Sequence, residues 1–396
     1  MHSRPDPLSS GVPGVVDADT SPEGLPEVTL DFRKLQAELA RGYDGPFLLL
    51  DLSIVRAKAR RFMAAMPRVH PHYAVKANPH PRVIEALKDA GVGFEVASSG
   101  ELDRLLDLGV AARDVFCSNP VKSRVHVQSA ALSGVEWFAI DSIEELHKVT
   151  RVKTDAKLCL RIETPSVGSD WPLSGKFGAS PAQALEIVAA AACLGADLAG
   201  VSFHVGSQCR NPESWRLGIE RAKQTLAEIR SAGMQPRLLD IGGGFPVQHA
   251  RPIPSIDAIG AIVNRALADV PSDIAITAEP GRFLVSDAAW FVCRVNGTTI
   301  RDGTRWMYWD AGIFGGIIES ARGMIYEIRT DRCGTPVPWT VAGPTCDSTD
   351  VLAGEHLLPE DLQEGDFIYL PNTGAYLSTR ACTFNGFPLP DLRVIE

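Results

Sequence analysis

Between residues 45 and 282 short apolar runs alternate with longer stretches whose apolar positions recur at helical spacing. HYAVKANP, from His72 to Pro79, is the clearest short run. Tyr73, Val75 and Ala77 alternate with Ala74 and Lys76, which predicts a strand with a lysine near its end, and Pro79 stops its pairing. The pattern predicts strands at Tyr73–Ala77, Phe94–Ala97, Val115–Ser118, Trp137–Asp141, Leu158–Glu163, Ala199–Val205, Leu238–Ile241 and Ile274–Ala278. Helical spacing lies between them, as in Pro81–Ala90, Gly100–Leu108, Ser142–Val149, Pro181–Leu194 and Pro212–Ala232. Upstream, PFLLLDLS predicts a buried strand, Ile54–Met66 a basic amphipathic helix, and Val28–Gly42 a short strand or helix. Eight strands, each leading to a helix or connector, predict an α/β chain closed into a (β/α)8 TIM barrel. An open doubly wound sheet would carry a Gly-rich turn near its first strand, and none is present.

Beyond Arg282 the rhythm changes. WFVCRVNGTTI, RWMYWDAG, WTVAG and DFIYLPN are β-rich and separated by the turn signals Asn296-Gly297, Asp302-Gly303 and Glu364-Gly365-Asp366. These predict a second, all-β domain over residues 283–396, with the barrel at 46–282. Residues 28–45 form a segment that could add a strand to the β-domain. Residues 1–27, rich in Pro, Gly and Ser, are expected to be a mobile arm.

Composition narrows the class. The chain has 396 residues, 45% hydrophobic and 22% charged, enough to bury a large core. A net charge of −9 argues against a nucleic-acid-binding surface. Eight cysteines without a CxxC pair argue against a zinc site or disulfide framework, and favour a reducing, cytoplasmic setting. No apolar run is long enough to span a membrane, and the start lacks the apolar core of a signal peptide.

The candidate chemistry gathers at the strand ends, where barrel enzymes place their active sites. Lys76 ends the first predicted strand, Glu95 and Ser98 the second, and Asn119 follows the third. Asp141 closes the fourth, Arg161 lies in the fifth, His204 and Ser207 end the sixth, Gly242-Gly243-Gly244 the seventh, and Glu279 and Arg282 the eighth. Taken singly each has a plain alternative. Lys76 could extend its charge to a rim, Asp141 could cap a helix, Asn119 could make a turn, and His204 could be a satisfied core histidine. Those alternatives do not explain why nearly every strand end is polar. Three glycines let backbone N–H groups close on a phosphate, and Arg282 on the next strand could add a charge-assisted bond, with Ser207 offering a hydroxyl. Glu279 could be a base, a metal ligand or the partner of a protonated ring nitrogen. Metal fits worst, because no histidine or carboxylate set surrounds it. A phosphate cradle, a lysine and such a carboxylate together describe a site for pyridoxal 5'-phosphate.

Those residues sit in HYAVKANP, FEVASSGEL, FCSNPVK, FAIDSIEEL, LRIE, KFG, SFHVGSQ, DIGGGFP, AEPGR, GPTCDSTDVL, GAY and TFNGF, in that order. From about Phe47 to Pro388 the chain resembles the fold-type III pyridoxal-phosphate decarboxylases, and closely the ornithine/lysine decarboxylase branch. The resemblance implies an alanine-racemase-like barrel with a β-domain, acting as a head-to-tail homodimer with shared active sites. It implies that Lys76 bonds to the cofactor aldehyde and that Glu95 is the acid behind it. Arg161 and His204 flank the ring, with His204 stacked on it. Ser207, Gly243, Gly244, Arg282 and Tyr376 hold the phosphate, and Glu279 meets the ring nitrogen. Cys346, from the second subunit, protonates Cα after CO2 leaves; Asp347 holds the substrate's distal ammonium and Phe384 lines the pocket. Asp310 is a weaker match for a second acid, one residue out of register, with Glu319 its competitor.

The expected reaction is decarboxylation of a basic L-amino acid, L-ornithine to putrescine first and L-lysine to cadaverine second. A diaminopimelate decarboxylase would carry a CESGD-like motif where this chain has Cys346-Asp347-Ser348, and a racemase would carry a tyrosine at Cys346. A non-enzymatic homologue would be expected to lose Lys76, Cys346 or Asp347, and all three are present.

Overall fold

The computed structural model describes residues 30–173 and 175–396. The expected arm, residues 1–27, lies outside them. Eight parallel strands close into a barrel: Val69–Ala74, Gly93–Val96, Val115–Cys117, Trp137–Ile140, Lys157–Arg161, Asp197–Ser202, Leu238–Asp240 and Ala275–Ala278. The last strand pairs back onto the first, with Ile276 opposite Val69, which completes the ring.

Helices follow the strands for local reasons. Ser98 caps Ser99–Asp107 by accepting the Glu101 N–H, and Ser142 caps Ile143–Val152 in the same way. Ser180 and Gln183 form a reciprocal capping box ahead of Pro181–Leu194, which ends at Gly195 in the left-handed region.

Strand alternation decides what faces the lumen. Phe94, Cys117, Phe138, Leu158, Leu160 and Leu239 belong to the main core between barrel and helices. Their neighbours Phe116, Ala139, Cys159 and Leu238 form a separate small cluster inside the ring, with Trp137 stacked on Phe116. The same period of two turns Glu95, Arg161 and Asp240 inward, above that apolar plug.

The second unit is an eight-stranded sheet built around the long strand Ala289–Arg301. Here the expected boundaries need correcting. Phe47–Asp51, assigned to the barrel, pairs antiparallel with Ala289–Arg301 and parallel with the terminal strand Asp391–Ile395. Barrel structure therefore starts at the helix Leu52–Ala65, capped by Asp51. A fully buried FLLL run has no alternation to say which sheet it joins. The segment 28–45 adds no strand in its described part. It forms the helix Phe32–Leu39, whose Phe32 ring meets Tyr369 edge-on at 5.1 Å and tilts against Trp290 at 5.7 Å.

Candidate active site

Lys76 is not on a strand. The first barrel strand stops at Ala74, and Val75–Ala77 is a single turn of 3-10 helix, so Lys76 stands just beyond the sheet. The turn is anchored twice, by Tyr73 Oη donating to the Asn78 carbonyl at 3.0 Å and by the Tyr376 N–H donating to the Ala77 carbonyl at 2.8 Å. Lys76 Nζ donates to Glu95 Oε1, and Ser118 Oγ donates to the other oxygen of the same buried carboxylate. Although 45% of the Lys76 side chain still meets solvent, its amine stands among protein atoms. Burial pulls its pKa down, but Glu95, Tyr376 and Glu279 outweigh that and hold it above the usual lysine range.

Beside Lys76 around the ring, half-buried Glu279 follows the eighth strand, which pairs with the Lys76 strand, and buried Asp240 ends the seventh next to it. Burial, then the neighbouring carboxylates, push Glu279 well above the ordinary carboxylate range. Asp240 is pushed up to about 6 by burial, against the Gly242 N–H it accepts at 2.8 Å. His204 is kept neutral by burial first and by Arg161 and Lys76 second, while its Nδ1 accepts the Gly206 N–H at 2.9 Å. A carboxyl pair that shares charge beside an uncharged imidazole would favour a cationic ring bound near them.

The glycine turn supplies the other end. A Cβ on Gly243 would stand 2.7 Å from the Glu279 carbonyl and 3.0 Å from His204 Nε2; one on Gly244, at φ +99°, would run into the Gly206 carbonyl. Only glycine leaves this cradle open. Lys76, Ser207, Gly244, Glu279, Arg282 and Tyr376 line one narrow cavity, so amine, cradle and carboxyl address the same space. These residues fit pyridoxal phosphate: glycine N–H groups and Arg282 would suit its phosphate, Glu279 a ring nitrogen and Lys76 an aldehyde. Among the described residues, no group of three His, Cys, Asp or Glu side chains could hold a metal ion.

A wider cleft of ≈ 520 Å³ opens from Lys76 past Tyr376 to Glu101, Arg104 and Arg380. These last three were missed by sequence reasoning. Glu101 carried a signal, since it stands at the first turn of a Ser98-capped helix and accepts the Ala97 N–H at 2.7 Å. Asp240 was also missed, although it directly precedes the glycines.

Arg282 is buried and already engaged, making two bonds to Glu319 at 2.6 and 2.9 Å. Glu319, with Arg380 also 3.7 Å away, therefore serves the cradle arginine rather than a substrate amine. Asp310 is likewise displaced from the site. One oxygen accepts the Tyr43 hydroxyl, the other the Arg294 N–H at 2.9 Å, and Arg294 packs its guanidinium on Tyr43 and Phe367. Its assignment as a second substrate acid is corrected: both oxygens are occupied inside the β-domain, at the end of Thr304–Trp309.

Cys346, Asp347 and Phe384 do not line the Lys76 cleft of their own chain. Cys346 is exposed, its N–H and Sγ both 3.2 Å from Asn385 Oδ1. Asp347 accepts from the Thr349 N–H at 2.8 Å and hydroxyl at 2.7 Å, and these bonds lower its pKa. Phe384 packs on Phe314 at 4.6 Å, which leaves the two rings beside Asn385 on a solvent-facing patch.

A family model described as pyridoxal-dependent decarboxylase, pyridoxal binding domain, matches residues 52–286. An ornithine decarboxylase of Panagrellus redivivus is 35% identical, over 88% of this chain and 85% of that one. A lysine/ornithine decarboxylase of Selenomonas ruminantium is 33% identical, over 90% and 91%. The structure of lysine/ornithine decarboxylase from Vibrio vulnificus, complexed with cadaverine, superposes with a TM-score of 0.85 at 34% identity, covering 92% of this chain and 98% of that one.

Proposed function

This chain belongs to the pyridoxal-dependent decarboxylases, and from that premise we infer that it releases CO2 from an L-amino acid with a cationic tail, ornithine first and lysine second, yielding putrescine or cadaverine. The observation that carries the reading is the single cavity shared by Lys76, Glu279, Gly244 and Arg282. The cofactor, when bound, supplies an aldehyde for the lysine and a ring that takes up the electrons left at Cα as CO2 departs.

The chain's own residues do the rest. Lys76 Nζ must lose a proton before it acts as a nucleophile, and Glu95 Oε1, already bonded to it, is the acceptor at hand. Gly243, Gly244, Ser207, Tyr376 and Arg282 would hold the phosphate, with the Arg282 guanidinium fixed by Glu319. Glu279, backed by Asp240, would hold a proton on the ring nitrogen. His204, uncharged, would lie against the ring without opposing that proton. Arg161 stands at the same end of the lumen, within electrostatic reach of His204.

Cys346 would return a proton to Cα and Asp347 would hold the distal ammonium, with Phe384 closing the pocket. None of the three lines the Lys76 cavities of its own chain, and a second copy presenting them across a head-to-tail dimer would complete the site. Among the described residues no helix is long and apolar enough to cross a membrane, in keeping with action in the cytoplasm.

One observation favours a second reading. Arg104 and Arg380 stand on the cleft wall and would suit a tail that also carries a carboxylate, as in meso-diaminopimelate. A panel of ornithine, lysine, arginine and diaminopimelate, with products identified by mass, decides between them. The first reading expects kcat/KM for ornithine or lysine at least about tenfold above diaminopimelate, and Asp347→Asn to raise KM by about tenfold through loss of a charged hydrogen bond. The reverse preference favours the second reading, and no turnover of any of them by the holoenzyme overturns both.

A further inference from the structure

A second cavity of ≈ 250 Å³ lies beside Trp171, adjoining the phosphate cradle at Gln208, and is lined in part by Asp170, Arg210, His249, Arg251 and Arg322. The Arg282 guanidinium is 5.5 Å from the Trp171 ring centroid and that of Arg322 5.8 Å, and Gln208 borders both this cavity and the cradle. The floor is a small antiparallel pair, Ser169–Trp171 with Ser207–Cys209. One wall is pinned by Gln208, whose side chain donates to the Val247 carbonyl at 2.6 Å and accepts the Val247 N–H at 3.0 Å.

Charge is lopsided. Asp170 pairs with Arg210 and stands 4.0 Å from Arg251, while Arg322 has no ion pair among the described residues. Three guanidiniums thus face one carboxylate. Polar capacity is also unspent. His249, 8% exposed, has no hydrogen-bond partner for either ring nitrogen, and Arg210 Nε has none. Burial, and then Arg282, push His249 down to about 3, so it stands there neutral, its ring edge-on to Tyr326 at 5.3 Å. Buried polar atoms normally find partners, and an excess of guanidinium in a walled space attracts anions. The volume equals that of about eight waters, more than one monovalent ion needs.

We propose that this cavity is a second ligand site, distinct from the decarboxylation centre, that binds a compact multivalent anion bearing carboxylate or phosphate groups through Arg210, Arg251 and Arg322. Its anion-binding side chains, Arg210, Arg251 and Arg322, have no role in the decarboxylation reading, although Ser207 belongs to the floor strand, so the proposal stands or falls apart from that reading.

Calorimetric titration of the cofactor-saturated holoenzyme, whose cradle is filled, tests it with citrate and inorganic phosphate against a chloride control. The expected result is saturable binding at one site per chain. Arg251→Ala and Arg322→Ala, both at exposed positions, each weaken it by about tenfold, the loss of one charged hydrogen bond. Asp170→Asn tightens it by removing the opposing charge, and Arg380→Met leaves it unchanged. Tighter binding of citrate identifies a polycarboxylate ligand, and tighter binding of phosphate a phosphate ester. No saturation by either anion, full binding by both arginine variants, or equal displacement by chloride overturns the proposal.

Discussion

Asp240 and Glu279 form a carboxyl pair that cannot carry two charges at low cost. Burial is the first cause at both; at Glu279 the Asp240 and Glu95 charges add to it while Lys76 and Arg161 offset part, and at Asp240 the Gly242 N–H and the contact with Glu279 work against it. Their folded-state pKa values lie above those of the unfolded chain. The pair therefore stabilises the fold below the ordinary carboxylate range, and that stability is lost as pH rises through about 6, the value for Asp240, and beyond. The cofactor-free protein is expected to lose thermal stability over that window, measured as Tm against pH. Glu279→Gln should flatten the slope, because a neutral amide no longer contests the proton. A slope unchanged by that substitution would remove the pair as its source. Lys76 has the opposite need, since its ammonium must become an amine to bond an aldehyde. Lys76→Ala should abolish the absorbance near the visible edge that marks a covalently held cofactor, while Glu279→Gln should retain it. Retention of the band by Lys76→Ala would refute the assignment.

At the scale of the element, the glycine turn after Leu238–Asp240 is the part least tolerant of change. Gly244 combines a left-handed φ of +99° with a carbonyl where a side chain would begin. Gly244→Ala should cost on the order of 1–3 kcal/mol in strain and lower cofactor affinity at least about tenfold, read by equilibrium dialysis. Near-normal cofactor binding would count against the cradle. This turn was legible in the sequence because DIGGGFP interrupts an apolar run with three residues that have no other use there. The barrel was legible for a related reason: each strand ends in polar residues, and the period of two puts Glu95, Arg161 and Asp240 on the lumen side. Other features had no local signal. Whether Phe47–Asp51 joins barrel or sheet depends on a partner strand hundreds of residues away. Lys76 falls on a turn because Tyr376, from the β-domain, claims the Ala77 carbonyl. Asp310 and Glu319 were both open as substrate acids until Tyr43 and Arg282 were seen to occupy them.

At the scale of the whole molecule, the chain divides its chemistry between two surfaces. Lys76, Glu95, Glu279 and the glycine cradle converge on the barrel mouth. Cys346 and Asp347, with Phe384 beside them, face solvent from the β-domain and line no cavity with Lys76. If Cys346 is the proton donor, as proposed, one copy would hold a cofactor site without its donor, and a donor without a site. A two-fold arrangement that docks each β-domain on the other barrel completes both sites at once, because an isologous contact repeats itself. The consequence is measurable by mixing. Lys76→Ala alone has no lysine for the cofactor, and Cys346→Ala alone is expected to lose 10²-fold or more in turnover, the usual scale for a missing proton donor. Co-folded in equal amounts, the two variants should regain about a quarter of wild-type activity: half the dimers are mixed, and one of the two sites in each is intact. Recovery should vanish when the variants are mixed under conditions that prevent subunit exchange. If activity stays at the level of the better single variant after exchange, Cys346 acts within its own chain or not at all, and the shared site is wrong.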